Sequence, residues 1–566
     1  MKRYIKLFCV AVSLLVTTSC TSDLDTLPLD DNQLTSNDVY GTVNGYRGML
    51  AKCYASLIQT GQKGGDGGDG DVNGIDEGYS GYTRCLFYLQ VASTDEVLFH
   101  AGGGHGTLSM YQMNWNSSVK VISYPYYRLY MAINYCNEFL RNSTEAKLEE
   151  NGVYDQLKND YLTYRAEARL IRAYCYSMIC DLYGSAPFVD DSQDLGVIPE
   201  QKTRRELFDY VVNEVNDLMG DLPAAGQKEY GRVDQAAAWF LLARHYLNAE
   251  VWTGTAQYDK AYQYAKMIID SGAYPLASDW RHIFLADNDT CSEIIWGLVQ
   301  DADNAQGSAG TNFLIKALAN GAMNNWYATG IGTRGWGNGR AKVSLVDKFD
   351  LHDQTFDPDD PWGDNKYDKR AQFFDKLDGQ QKETWTEGKG FEKTFTKGYS
   401  IIKWRSVKKD RSQGAGDPGT VYSSIDYPLF RTADAYLMAA EAILRNGGGS
   451  KDEALRYVNE VRERAYMSGK YGTSAVSGDI TSDQLTLDFI CDERARELYT
   501  ENVRRTDLIR FGKYTKGYNW DWKGSDGQAG NYKGQDVDDK YKLFPIPQDE
   551  FTVNPNLTQN PDFANK

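Results

Sequence analysis

The sequence predicts an all-α protein in which helical pairs stack in the manner of tetratricopeptide repeats and carry one large irregular lobe. Three observations predict it. Apolar residues recur at three- and four-residue steps in successive stretches up to about residue 290 and again from about 429 to 512, as in helices that bury one face. Two distant stretches repeat one grammar: AWFLLARHYLNAEVWTGTAQYDKAYQYAKMII and ADAYLMAAEAILRNGGGSKDEALRYVNEVRERA. Each joins a helix rich in small residues, a turn and a second helix, with Ala261 and Ala454 in equivalent places, the reading of helix hairpins with a period of about 34 residues. Between about 290 and 425 the periodicity stops and Gly, Trp, Asn and Asp dominate. A long, weakly periodic insertion in a compact domain is usually functional or disordered, and the aromatic residues here argue for order.

The chain starts MKRYIKLFCVAVSLLVTTSC and then turns polar. A basic start, a short apolar run and small residues make a secretory signal, too short to stay as a span of about 20 residues. The cysteine at the boundary adds the logic of a bacterial lipobox, although Thr17 stands where Leu is usual. Residues 1–19 are therefore expected to be removed and Cys20 to become the lipidated first residue. Two or more acyl chains hold a protein stably on a membrane. No later apolar run is long enough to span, so the mature protein is expected to be a soluble body on a tether.

The elements follow in order. Residues 21–35 read as a polar leader, and a helix starts at Ser36. The glycine-rich stretch 60–81 is loop. Helices are expected at about 122–142, 160–184, 204–222, 232–252 and 258–272, several closed by Gly184, Gly272 or Pro223. Helices resume at about 429–468 and 483–512. The tail LFPIPQDEFTVNPNLTQNP reads as an extended strap. Nothing resembles a linker, so 20–566 is read as one domain: scaffold about 36–290 and 426–515, lobe about 290–425, strap 540–566.

Composition limits the function. The net charge of −17 makes a poor polyanion binder, because phosphate contacts need Lys and Arg, and nucleic acid is not expected as a partner. Of nine cysteines, the seven beyond Cys20 show no C-x-x-C spacing and read as small buried hydrophobes rather than disulfides or a zinc site. There is no G-x-S-x-G elbow and no H-E-x-x-H, and the five histidines are dispersed. His100 and His105 share the loop FHAGGGHG, read as solvated or ligand-contacting. No catalytic residue and no metal ligand is assigned, and an enzyme is not expected. DGDVNGID at 69–76 copies the first half of a calcium loop, but its twelfth position is Ser80 where a bidentate Glu is needed. A looser structural calcium among the acidic loops stays open.

The aromatic content, 13% with 40 Tyr and 12 Trp, exceeds ordinary core needs. Trp326 and Tyr327 follow two asparagines, and Trp336 lies between Arg334 and Asn338, all among glycines. Such rings have few neighbours to bury against. They suit a ligand with C–H faces and hydroxyl rims, which wants flat aromatic surfaces with Arg, Asn, Asp or His beside them.

Four blocks resemble those of a known family: RAEARLIRAYCYSMICDLYGSAPFV, RTADAYLMAAEAIL, RRTDLIRFGKY and LFPIPQDEFTVNPNLTQNP. With the lipobox and the TDE segment at 94–96, they run in order over nearly the whole mature chain. The family is SusD/RagB, the nutrient-uptake lipoproteins of the outer membrane of Bacteroidetes. The resemblance implies an α-helical fold with four tetratricopeptide units and a glycan-binding lobe. It also implies a surface-exposed lipid anchor at the outer membrane and a TonB-dependent, SusC-like barrel as partner. Arg84 matches an arginine that helps hold sugar in the family's starch-binding founder, and folding is expected to bring His100, next to Ala101, close to it. The founder's tryptophan after the TDE block is replaced here by Ala101, so a glycan other than starch is expected. The expected glycan-binding set is thus Arg84, His100, Trp326, Tyr327, Arg334 and Trp336. The alternative reading is a transporter lid that handles peptide or another nutrient with little glycan binding of its own.

Overall fold

The structure, a computed structural model, describes residues 36–61, 70–100, 104–304, 307, 309–321, 323, 329–330, 335–349, 356–375, 398–412, 414, 422–526 and 531–564. Cys20, Ala101, Trp326, Tyr327 and Arg334 lie outside the described residues.

The helix expected from Ser36 is divided into α1 (Ser36–Tyr40) and α2 (Val43–Ala55). Thr42 takes extended backbone between them, and its hydroxyl accepts from the Gly45 N–H at 3.0 Å, as an N-cap does. A helix that the periodicity had not marked follows the glycine-rich loop: α3 (Tyr82–Phe87), continued by a π turn over Tyr88–Ala92. Every residue of both is buried, so no polar stripe betrays them.

The scaffold helices lie close to their expected places: α4 (Lys120–Asn142), α5 (Tyr161–Leu182), α6 (Arg204–Leu218), α7 (Gln235–Leu247) and α8 (Tyr258–Ser271). Local chemistry sets their ends. Thr203 and Glu206 form a capping box at α6, the Asp234 carboxylate accepts from the Ala236 and Ala237 N–H groups at α7, and Gly272 closes α8 in the left-handed region at φ 61°. Each satisfies groups that a helix end leaves open.

The expected irregular lobe contains a helix, α9 (Gly310–Leu318), buried throughout. After the lobe come α10 (Thr432–Leu444), α11 (Lys451–Tyr466), α12 (Leu487–Leu498), α13 (Arg504–Arg510) and, in the tail, α14 (Glu550–Val553). Helix α8 packs against α7 on one side and α10 on the other. Ala261, Ala265, Ala435, Ala439 and Ala454 are fully buried at these steps. The two hairpins read from the sequence are thus neighbours in the stack, and the lobe is an excursion between them.

Short antiparallel ladders tie distant segments together, and three of the four fasten that excursion. β1 (Val97–Phe99), β2 (Ala186–Pro187), β3 (Gln201–Lys202), β4 (Ile294–Leu298), β5 (Gly339–Ala341), β6 (Phe373–Phe374), β7 (Ser400–Ile401) and β8 (Tyr427–Arg431) pair as β1–β5, β2–β3, β4–β8 and β6–β7. Ile294 faces Arg431 and Leu298 faces Tyr427, so β4 and β8 close the base of the lobe. Val97 faces Ala341 and Phe99 faces Gly339, which stitches the segment after TDE to the lobe.

Behind these ladders lies a lattice of buried charge. Glu497 accepts from Arg431 at 2.7 Å, from Arg370 at 3.0 Å and from Arg464. Arg431 and Arg464 also hold Glu293, Arg370 holds Asp368 and Glu493, and Arg431 and Lys403 hold Glu501. All of these side chains are at most 4% exposed. Burial alone would raise the Glu497 carboxyl, but the arginines of 464, 431 and 370 hold it below its ordinary value. Removing one partner of a buried cluster leaves uncompensated charge, a loss of about 3–5 kcal/mol. Glu497→Gln should lower the urea midpoint correspondingly, and an unaltered midpoint would mean that the lattice is not a stabilising core.

Candidate functional site

Helices α3 and α9 meet at their starts. A Cβ at Gly81 would stand 2.1 Å from Ala309 Cβ, and the Gly310 N–H donates to Thr83 Oγ1 at 2.6 Å. This contact places Arg84 of α3 beside Phe313 of α9, whose i+3 neighbour on the same face is Lys316.

Arg84 is 7% exposed. Its Nε donates to Tyr88 Oη at 2.8 Å and its Nη1 to the Gly78 carbonyl at 3.0 Å. Its guanidinium lies 4.0 Å from the Tyr79 ring centroid, 4.8 Å from Phe313 and 5.8 Å from Trp336, within reach of cation–π attraction. Burial works against its charge, and Tyr88 and Tyr79 outweigh that and leave its pKa raised. Arg84, expected among the glycan-binding residues, is the buried centre of an aromatic nest.

Trp336 is the exposed member. It is 42% accessible, and the Lys316 ammonium lies 5.7 Å from its ring. Its backbone N–H donates to the Lys316 carbonyl at 2.6 Å. The flanking glycines permit this close approach: a Cβ at Gly335 would stand 2.5 Å from the Ala319 carbonyl oxygen, and one at Gly337 2.9 Å from Asn320 Nδ2. Two residues further, Asn338 exchanges two bonds with His100, whose N–H donates to Asn338 O at 2.9 Å and whose O accepts from Nδ2 at 2.6 Å. Folding therefore brings Arg84, His100 and Trp336 into one neighbourhood.

The far side of the nest is His105. Its ring stacks on Tyr79 at 3.9 Å and 6°, and its Nδ1 pairs with Tyr124 Oη at 2.8 Å. Burial lowers its pKa and that of His100, which favours neutral rings. Sequence reasoning missed Tyr79, Phe313, Lys316 and Tyr124. Phe313 and Lys316 were hidden because α9 has no polar face, and Tyr79 because its partners come from three separate segments.

The arrangement is a fixed aromatic surface with donors at its edge, suited to a neutral ring with apolar faces. Among the described residues no group of three or more His, Cys, Asp or Glu is placed to hold a metal. Asp71 of the calcium-like loop is taken by Arg128, at 2.7 and 2.8 Å. A separate cleft of about 450 Å³, lined in part by Tyr54, Tyr164, Tyr230 and Arg232, holds none of the expected site residues. All seven described cysteines are buried and unpaired.

Comparison with known proteins decides the family. The chain is 35% identical to the starch-binding protein SusD of Bacteroides thetaiotaomicron over 99% of both chains. The chain belongs to the SusD family. The SusD family profile matches residues 292–563, from β4 to the strap. Among solved structures, a SusD-like carbohydrate binding protein of Bacteroides fragilis is similar with a TM-score of 0.66 and 18% identity, over 92% of this chain and 100% of that one. The surface glycan-binding protein A of Bacteroides thetaiotaomicron, solved with laminarihexaose, gives 0.62 and 18% over 92% and 99%. These likenesses establish the SusD fold for this chain.

Arg84→Ala would leave Tyr88 and the Gly78 carbonyl without their donor, a loss of about 1–3 kcal/mol. The expected signature is local: weaker near-ultraviolet circular dichroism and faster amide exchange over residues 76–80, with helical content unchanged. Unchanged near-ultraviolet signal and exchange would show that the nest does not depend on Arg84.

Proposed function

We propose that this protein is a surface-exposed, glycan-binding lipoprotein of the outer membrane that captures an oligosaccharide and delivers it to a TonB-dependent barrel transporter. The observation that carries the reading is Trp336, a half-open ring held beside Arg84, Lys316 and Phe313 in a chain of the SusD family. The relative's starch binding and the neighbour's laminarihexaose support a glycan as ligand. His100, Trp326, Tyr327 and Arg334 complete the proposed surface. Because Ala101 stands where the founder has a tryptophan wall, the preferred glycan is one other than starch. The protein acts by binding, without catalysis of its own. The signal is residues 1–19, and one domain runs from Cys20 through the lobe to the strap.

One stacked ring contributes about 1–2 kcal/mol, so Trp336→Ala should weaken binding about five- to thirty-fold. Titration calorimetry against starch, β-glucan, other plant, microbial and host glycans measures this. Undiminished affinity in a folded variant would move the platform elsewhere; no binding to any glycan by the wild type would favour the peptide-handling lid.

The anchor is tested separately. No helix among the described residues is long and apolar enough to cross a membrane, so attachment rests on Cys20. Cys20→Ala should shift the protein from the membrane fraction to the soluble one and remove acyl mass from the mature N-terminus. Membrane retention with no acyl mass in the wild type would sink the lipoprotein reading.

A further inference from the structure

A cleft of about 450 Å³ opens where α2, α5 and β4 meet, and no residue of the aromatic nest lines it. Its walls are apolar and aromatic: Leu50 and Tyr54 of α2, Ile58 just after that helix, Tyr164 of α5, and Tyr230 with Val299. Two of the rings are held by their own hydroxyls. Tyr54 Oη donates to Glu167 at 2.6 Å and accepts from the Val233 N–H at 3.1 Å. Tyr230, 44% exposed, donates to Asp426. Glycines let the walls stand close. A Cβ at Gly231 would lie 2.7 Å from Val299 Cγ2, and one at Gly297 3.3 Å from Tyr230 Oη. Fixed apolar walls with a few polar groups, at this volume, are the usual form of a small-molecule site.

The polar groups decide the ligand. Arg232 is spent: it gives two bonds to Glu167, and its Nη1 donates to Glu229 at 3.3 Å. Arg47 is not. It is exposed, its Nε donates to Tyr164 Oη at 3.2 Å, and no carboxylate among the described residues is bonded to it. The remaining donors of its five-donor fork are open to a ligand. The bond to Tyr164, and then the charges of Asp160 and Glu229, raise its pKa, so it is cationic at any working pH. Tyr164 accepts from Arg47 and keeps its own O–H proton to give. Donors thus stand side by side at one edge of the cleft. A carboxylate answers both, because a guanidinium takes it through two parallel bonds.

The walls decide the rest of the molecule. A sugar would set hydroxyls against Leu50, Ile58 and Val299, where they would stay unpaired at a cost. A flat apolar ring instead packs on Tyr54, Tyr164 and Tyr230. We propose that this cleft is a second ligand site, separate from the glycan surface, for a planar aromatic carboxylate of one or two rings, with Arg47 and Tyr164 on the carboxylate and Tyr54 and Tyr230 on the rings.

The test titrates 2-naphthoate into the purified full-length protein, followed by the anisotropy of the naphthoate fluorescence and by calorimetry. The expected result is saturable one-to-one binding with a dissociation constant below about 1 mM. Two analogues separate the parts: 2-naphthamide lacks the charge, decahydro-2-naphthoate lacks the aromatic ring, and each should bind at least tenfold more weakly. Arg47→Ala should cost at least tenfold for the acid and leave the amide unaffected. Ala51→Trp, an exposed position on the cleft wall, should fill the space and abolish binding. Thermal midpoint and glycan binding should stay unchanged in both variants. No saturable binding, an amide as tight as the acid, or binding that survives Ala51→Trp overturns the proposal. Displacement of naphthoate by an oligosaccharide would merge this site with the glycan surface and overturns it too. So does binding that appears only after residues 21–35 are deleted, which would make the chain's own leader the occupant.

Discussion

The carboxylate of Glu497 is the point on which much of this structure turns. Three arginines converge on it, one from the lobe, one from β8 and one from α11. The three segments are separate in the chain. Charged groups out of water tolerate little displacement, because attraction in a poorly polarisable interior changes steeply with distance. The lattice thus specifies one relative placement of lobe and stack where oily packing would accept several. A second lock of the same kind joins Asp95 to Arg504, with both bonds at 2.7 Å and both side chains within 2% of full burial.

That second lock gives meaning to the TDE block. It had the look of a sequence signature next to a ligand site. In the folded chain, Thr94, Asp95 and Glu96 are buried, and Glu96 accepts from the Thr500 N–H at 3.0 Å. Burial pushes the Glu96 carboxyl up to about 8, whereas Arg504 and Lys348 overcome burial at Asp95 and hold its carboxyl far down. The block is a hinge-pin: it fixes β1 against α13, and β1 pairs with β5, which follows directly on the segment carrying Trp336 and Asn338. Chemistry at the surface inherits its precision from ion pairs beneath it.

What the sequence made legible follows from how each feature is built. Helices α4 to α6, α8, α11 and α12 advertise themselves because each keeps exposed residues on one face, whereas α7 and α10, which expose none, were marked by their runs of small residues. The hairpin grammar was legible for the same reason, with Ala261 and Ala454 marking where helices touch. Helices α3 and α9 are buried on all sides, and a helix without a wet face carries no period to read. The exposed Trp336 was legible through its glycines. Tyr79 and His105 were not paired in advance, because a ring stack between a loop and a distant loop leaves no spacing rule in one dimension. Arg84 was found through resemblance, and only the folded chain shows that it is buried among rings.

The lobe sits between two hairpins that pack as neighbours, and this ordering has a consequence for how the chain reaches its fold. Helices α8 and α10 are separated by the whole lobe, so their contact is of very long range. Closing such a loop costs an entropy that grows with the logarithm of its length, of order 4–5 kcal/mol beyond the constant term. The β4–β8 ladder shares that cost, because once it forms, α8 and α10 are held near each other by a much shorter path. The C-terminal half of the stack can therefore assemble only after the whole lobe has been made. A chain cut short inside the lobe would display α8 with its alanine face, Ala261 and Ala265, bare, so the scaffold closes only on a full-length chain.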